Sequence, residues 1–228
     1  MKIYGHPWSV NTRKALTVAR EKDVELELSV VHIPRGEQRS AAHLALHPFG
    51  KVPVLEDGDF RLYETMPILR YLDEVVDGPS LTPSTARARA RAAQWDRVQQ
   101  SYFEPRVHPL VAHRVFARHV GLPPDATVIQ AGRDALCEVL DVLEPHLASA
   151  PFLAGGVLSV SDINWLPYLD YLTHVGEGGP IAERPHVAAW YARLSDRPSW
   201  TVVARTGMQP YDGGASADAI AREHGWRG

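Results

Sequence analysis

The chain holds a single cysteine, Cys137, in 228 residues. One thiol cannot close an internal bridge, so no disulfide framework stands behind the fold, and the sequence fits a reducing compartment. Lysine is scarce: Lys2, Lys14, Lys22 and Lys51 all precede residue 78, and every later basic side chain of that kind is arginine. No stretch approaches the roughly 20 apolar residues that span a bilayer. The start, Met1-Lys2-Ile3-Tyr4-Gly5-His6-Pro7, has no apolar core of signal-peptide length. These absences predict a cytoplasmic, globular protein without a membrane partner. A large excess of either charge is also missing. With 24 Lys+Arg against 27 Asp+Glu the net charge is −3, which speaks against nucleic acid as the main partner. What is present, 45% hydrophobic residues, allows one or two domains with a sizeable core that needs neither disulfide nor metal to fold.

Two kinds of pattern divide the chain. Up to Val76 short period-two runs alternate with helical ones; beyond Ser84 only helical periods remain. Asp77-Gly78-Pro79-Ser80-Leu81-Thr82-Pro83-Ser84 between them is rich in turn formers. The expected organisation is a domain over 1–77, a linker over 78–85 and an all-helical domain over 86–228. In the first part, Lys2-Ile3-Tyr4 and Glu25–Val30 read as strands around a helix from Val10 to Lys22. Ser40–Leu46 reads as a short helix stopped before His47-Pro48. Val52–Leu55 and Phe60–Tyr63 form a hairpin over an Asp-Gly turn. Thr65 is expected to cap a helix through Val75. The order β-α-β-α-β-β-α is that of a thioredoxin-like sheet, here without Cys-x-x-Cys. The fold class is thus α/β followed by all-α.

In the second part, Ala86 to about Phe103 is helical and continues with a kink through Pro105 and Pro109 to Arg118. Asp125–Leu147 is another long helix. Ser159-Val160-Ser161-Asp162 has the form of a capping box, a helix start worth about 1 kcal/mol. Other constellations carry less. His43 and His47 are spaced for one helix face, but two ligands are too few for structural zinc, so no metal is expected and the two read as a surface pair. His108, His113 and His119 lack such spacing. Ser9 lies in no G-x-S-x-G elbow. Trp95, Tyr102, Phe103 and Phe116 are core by default.

Four segments carry a resemblance. They are Tyr4-Gly5-His6-Pro7-Trp8-Ser9-Val10-Asn11-Thr12-Arg13, His47-Pro48-Phe49-Gly50-Lys51-Val52-Pro53-Val54-Leu55-Glu56-Asp57-Gly58, Tyr63-Glu64-Thr65-Met66-Pro67-Ile68-Leu69-Arg70-Tyr71-Leu72, and Phe152-Leu153-Ala154-Gly155-Gly156 with Ser159–Asp162. In this order and spacing they resemble glutathione S-transferases, in particular phi-like, serine-type members of bacterial style. The resemblance runs from Lys2 to about Val203.

That resemblance implies a site for glutathione, a tripeptide with two carboxylates, an ammonium and a thiol. Val52, before a cis Pro53, would present its main chain to the cysteinyl backbone. Glu64 would face the ammonium. Thr65, at a helix N-terminus, would meet the γ-glutamyl carboxylate. Lys51 and Arg39 are the candidates for the glycyl carboxylate, with Gln38 beside them. Ser9 is the catalytic candidate, a hydroxyl donor that favours the thiolate, with Asn11 or Thr12 as a second donor. Its plainer role is a helix N-cap. The second substrate is expected to be a hydrophobic or aromatic electrophile, its pocket walled by Trp8, Pro34, Phe103, Arg106 and Arg114. A homodimer is implied, with Phe49 and the first long helix of the second domain at the interface. The chain departs from the family pattern at Gln38 and Arg39 (usually His-Lys), at Lys51 (usually Gln), at Thr65 (usually Ser) and at Met66 (commonly Arg). Conjugation of glutathione is the leading activity. A glutathione-dependent isomerase, ether-cleaving lyase or dehalogenase, or a non-catalytic binding protein, are the alternatives on the same scaffold.

Overall fold

The computed structural model describes residues 1–116 and 123–207; Arg118, His119, the side chain of Phe116 and the tail after Gly207 lie outside the described part. Four short strands form one sheet: β1 Lys2–Gly5, β2 Glu27–Val30, β3 Val54–Asp57 and β4 Phe60–Tyr63. Their order is β2-β1-β3-β4. A parallel neighbour requires a crossover, and α1, Val10–Glu21, supplies it between β1 and β2. β3 runs antiparallel to β1, with Ile3 opposite Leu55, and closes the expected hairpin with β4, Asp57 opposite Phe60. Before β3 come two 3-10 turns, Ile33–Arg35 and Glu37–Arg39, and the short helix α2, Ala41–Leu44. α3 spans Thr65–Val75. Ile3, Val54 and Leu55 of the sheet are buried, as are Ala15 and Val18 of α1 and Ile68, Leu69 and Leu72 of α3.

Two expectations are corrected here. β2 is shorter than its period-two run and is an edge strand, so Leu26 just before it is buried while Val30 is exposed. Thr65 is not the cap of α3: Glu64 occupies that position in a non-helical conformation, and Thr65 is the first helical residue. Among the described residues, packing groups the chain into two compact units, Met1–Ser80 with Pro198–Gly207, and Leu81–Arg197. The reason is physical. α10, Pro198–Gly207, packs on α1: the Arg13 guanidinium lies 4.5 Å over the Trp200 ring and donates to the Ala204 carbonyl at 3.5 Å, and the Ser199 hydroxyl donates to Glu21 at 2.5 Å.

The first unit is tied at its base by a buried ion pair. Lys22 Nζ donates to Asp73 Oδ1 at 3.2 Å and to the carbonyls of Asp73 at 2.9 Å and Pro79 at 3.2 Å. Both side chains are almost wholly shielded from water, so three acceptors replace the ammonium's hydration.

In the second unit α4, Ala86–Val98, passes through a π-helical turn, Gln99–Phe103, into α5, Glu104–Phe116. The expected continuity is present, and the irregularity precedes the prolines. Pro109 lies within α5. α6, Ala126–Leu147, begins at Asp125, whose carboxylate accepts from the N–H groups of Thr127 and Val128. α7, Val160–His174, is followed by the short α8, Gly179–Ala182, and by α9, Pro185–Ser195. The capping box is present, and Asp162 does more than cap. Its carboxylate accepts from Ser159 N–H at 2.9 Å, the Ser159 hydroxyl at 2.7 Å, Leu153 N–H at 2.8 Å and Trp190 Nε1 at 2.9 Å. One buried side chain thereby joins the 152–156 segment, the start of α7 and the face of α9. Among the described residues no helix is long and apolar enough to cross a membrane.

Removing one partner of a buried ion pair leaves the other charge stranded, at about 3–5 kcal/mol. Lys22→Met is expected to lose that much stability in urea unfolding, and a loss under about 1 kcal/mol would mean that Asp73 is solvated. Asp162→Ala, which strands four donors, is expected to leave little folded protein at 37 °C by circular dichroism.

Candidate functional site

Strand directions decide where the candidate residues meet. β1 ends at Gly5, and β3, antiparallel to it, begins at Val54, paired with Tyr4. β4 turns back to end at Tyr63, opposite Val54. The segments following β1, preceding β3 and following β4 therefore share one end of the sheet. They contain Ser9, Val52-Pro53 and Glu64-Thr65.

At that end β1 is clamped to α1. A Cβ on Gly5 would stand 2.5 Å from two side-chain atoms of Thr12, so only glycine permits the approach. Thr12 is buried and its Oγ1 accepts from His6 N–H at 3.3 Å. Thr12 thus belongs to this clamp. The intervening turn is tight: Ser9 N–H donates to the His6 carbonyl at 2.9 Å, and Trp8 N–H to His6 Nδ1 at 3.1 Å. Ser9 comes out as the N-cap of α1, its Oγ accepting from Thr12 N–H at 3.3 Å. A hydroxyl that accepts here still has its own hydrogen to donate outward. α1 carries no acid in its first turn, so the positive end of its dipole is not neutralised there. Trp8 is half-buried, edge-on to His6 at 5.9 Å, and Pro34 is buried in the first 3-10 turn.

The second segment is a turn held by side chains. Val52–Pro53 is cis. Gly50 has φ +60°, and a Cβ there would lie 2.8 Å from the Gln38 carbonyl and 3.0 Å from Arg39 Cδ. Gln38 and Arg39 are thus brought against Phe49-Gly50-Lys51. Arg39 Nη1 donates to the Phe49 carbonyl at 3.2 Å, His43 Nε2 contacts the Lys51 carbonyl at 2.8 Å, and His47 Nδ1 accepts from Phe49 N–H at 3.3 Å. His43 and His47 are 5% and 1% exposed. They are not the surface pair expected from their spacing, because the turn folds back over them. The signal was in the sequence: His47 stands where the family pattern has Asn-Pro-Phe-Gly, and an imidazole Nδ1 can take over the short acceptor role of an asparagine turn.

Glu64 stands at φ +75°, a left-handed conformation that costs a non-glycine residue about 1–3 kcal/mol and persists where surrounding structure imposes it. This feature has no sequence signature. Burial pushes the His47 imidazole below its ordinary value near 6.5; Glu64 opposes the shift, while His43 and Lys51 reinforce it. Glu64 and Lys51 are therefore close enough to act on the same ring.

The expected electrophile-pocket residues of the helical unit have these surroundings. Phe103 is fully buried against Trp165 at 4.8 Å and Tyr168 at 5.6 Å, a core ring with no open face. Arg106 is paired with Glu138. Arg114 donates to Glu177 at 2.7 Å, and Arg133 grips the same carboxylate at 2.9 Å. Both arginines already have counterions. Tyr102, expected in the core, is 58% exposed, whereas Trp95 is buried. Among the described residues no three His, Cys, Asp or Glu side chains gather as a metal site.

This geometry meets its relatives directly. Residues 8–75 match the family description "Glutathione S-transferase, N-terminal domain", and residues 126–193 match "Glutathione S-transferase, C-terminal domain". The chain belongs to the glutathione S-transferase family. It is 37% identical over 203 residues to glutathione S-transferase F9 of Arabidopsis thaliana, covering 88% of this chain and 94% of that one. It is likewise 37% identical over 204 residues to glutathione S-transferase 3 of Zea mays, covering 88% and 91%. Among solved structures, glutathione transferase F7 from Populus trichocarpa superposes with a TM-score of 0.86 at 33% identity, covering 91% of this chain and 99% of that one. Glutathione S-transferase I from mais, in complex with an atrazine glutathione conjugate, does so with 0.85 at 28% identity, covering 92% and 99%.

His47 sets a pH dependence whose sign follows from its lowered pKa. Unfolded, it takes a proton near pH 6.5; folded, it does so only at lower pH. Its share of stability is therefore full above about 6.5 and is lost as the pH falls through the window below. Urea midpoints from pH 7.5 to 5 should fall less for His47→Asn, which keeps an acceptor for Phe49 N–H, than for the wild type. Parallel curves would refute this.

Proposed function

We propose that this chain is a serine-type glutathione transferase that conjugates glutathione to an electrophilic carbon. The supporting observation is the convergence at one sheet end of the Ser9 hydroxyl on the N-terminus of α1, the Lys51-Val52-Pro53 turn and the Glu64-Thr65 corner. Each has a counterpart in glutathione. The Val52 main chain suits the cysteinyl backbone, and Glu64 the γ-glutamyl ammonium. Thr65, at the start of α3, suits the γ-glutamyl carboxylate. Lys51, Arg39 and Gln38 surround the place for the glycyl carboxylate. The thiol would then lie by Ser9. The names of the relatives and the bound conjugate of the mais enzyme point the same way. Those named relatives are plant proteins, so the bacterial-style label is not carried further.

A cysteine-type thiol titrates near 8.5, so only a few per cent is thiolate at neutral pH. Ser9 O–H donating to sulfur, with the positive end of α1 behind it, lowers that value. The thiol proton leaves to solvent. The sulfur lone pair then forms the C–S bond, and the leaving group departs with its electron pair or the adduct is protonated. Ser9 is a donor throughout, never the nucleophile. Trp8 and Pro34 favour a flat or aromatic co-substrate. We further propose a cytoplasmic homodimer in which Phe49, 64% exposed, is covered by the partner.

The test is the ultraviolet difference spectrum of bound glutathione between pH 5 and 9. A thiolate band rising well below the free thiol's pKa is expected in the wild type and should move toward it in Ser9→Ala. The loss of one charge-assisted hydrogen bond, about 1.5–3 kcal/mol, corresponds to roughly 10- to 100-fold in kcat/KM at pH 6.5. A band unmoved in Ser9→Ala would assign the donor elsewhere, and absence of glutathione binding would end this reading.

A further inference from the structure

We propose that His43 is a positioning residue for glutathione, acting through the Lys51–Val52 peptide; this rests on the glutathione reading above. α2 begins at Ser40, whose hydroxyl accepts from His43 N–H at 3.2 Å. That cap fixes the backbone of His43 and directs its ring inward, where it is 5% exposed. Nε2 then meets the Lys51 carbonyl at 2.8 Å. A carbonyl oxygen offers only lone pairs, so Nε2 carries the hydrogen and donates.

The consequence lies one atom further along the chain. A peptide group is planar, and in the trans form its C=O and N–H point in opposite directions. Holding the Lys51 oxygen toward His43 therefore aims the Val52 N–H away from His43. Val52 is the residue whose main chain is offered to the cysteinyl backbone. Phe49, two residues before Lys51, is pinned from both sides, its carbonyl by Arg39 and its N–H by His47. Gly50, in the left-handed region, brings the turn against the Gln38 carbonyl. Between Phe49, held in this way, and the cis Val52–Pro53 bond, His43 holds the Lys51–Val52 plane through the Lys51 carbonyl. None of the family motifs quoted for this chain contains His43.

A residue acting this way should change how tightly glutathione is held and leave the chemistry at sulfur alone. His43→Phe keeps a ring of similar size and removes the donor; His43→Gln keeps a side-chain N–H. Steady-state kinetics with reduced glutathione and an activated aryl chloride separate the cases. In His43→Phe the KM for glutathione should rise about three- to tenfold, the scale of one hydrogen bond between uncharged groups. Its kcat at saturating glutathione and the pH midpoint of the bound thiolate band should stay at wild-type values. His43→Gln should restore KM to within about twofold. If circular dichroism finds the phenyl variant unfolded, His43→Leu replaces it with the same expectation. An unchanged KM without the donor, a fall in kcat alone, or failure of glutamine to rescue would each overturn the proposal. Wild-type protein that does not bind glutathione would overturn it together with the reading beneath it, and calorimetry on the wild type alone detects that case.

Discussion

A missing side chain organises the sheet end on which everything else converges. At Gly5 the last turn of β1 meets Thr12 so closely that a Cβ would overlap it. This forces the chain to leave the strand and enter α1 within four residues, and Ser9 becomes the cap by default. The residue is therefore placed by backbone geometry, and its hydroxyl by one contact with that same backbone. A side chain set in this way loses little entropy on meeting a ligand, because its rotamer is already fixed by the Thr12 N–H.

Opposite that corner, a loop is made rigid by polar side chains. Arg39, His43 and His47 each bind a main-chain group of Phe49 or Lys51. Two of the three are buried imidazoles, which serve as neutral donor or acceptor according to tautomer and so suit a loop with both kinds of unpaired backbone group. Glu64 adds a strained backbone nearby. Strain, buried histidines and a helix N-terminus lie at the same edge of the sheet, while the Lys22–Asp73 pair supports the unit elsewhere.

The fold was legible where local chemistry has a fixed period or a stereotyped start. The β-α-β-α-β-β-α order, the hairpin, the long helix that becomes α6 and the Ser159–Asp162 box all follow from spacing and capping preferences. Two local features at the candidate site were legible as well: Ser9 as a helix N-cap, from capping preference, and the cis Val52–Pro53 bond, from the family resemblance. Long-range structure stayed hidden. Nothing near Trp200 announces that it will lie over Arg13, and an aromatic run cannot say that Phe103 points into the core while Tyr102 points out. The burial of His43 and His47 depends on a turn that helical spacing does not announce. The counterions of Arg106 and Arg114, Glu138 and Glu177, are 32 and 63 residues away in sequence, so no local pattern reveals those pairs.

The return of α10 to the first unit has a consequence for the order of events during synthesis. Arg13 and its partner on α10, Ala204, are separated by 191 residues. A ribosome releases the sheet and α1 first, at about 5–20 residues per second. For roughly 10 to 40 seconds at that rate the α1 face that α10 will cover, with its fully buried Arg13, stands open to solvent. The sheet unit is thus the first to be made and the last to be finished. Its final cover arrives only after the whole helical unit has emerged, which makes the nascent chain most exposed to misassembly in the interval when the sheet end around Gly5 and Ser9 has already been made.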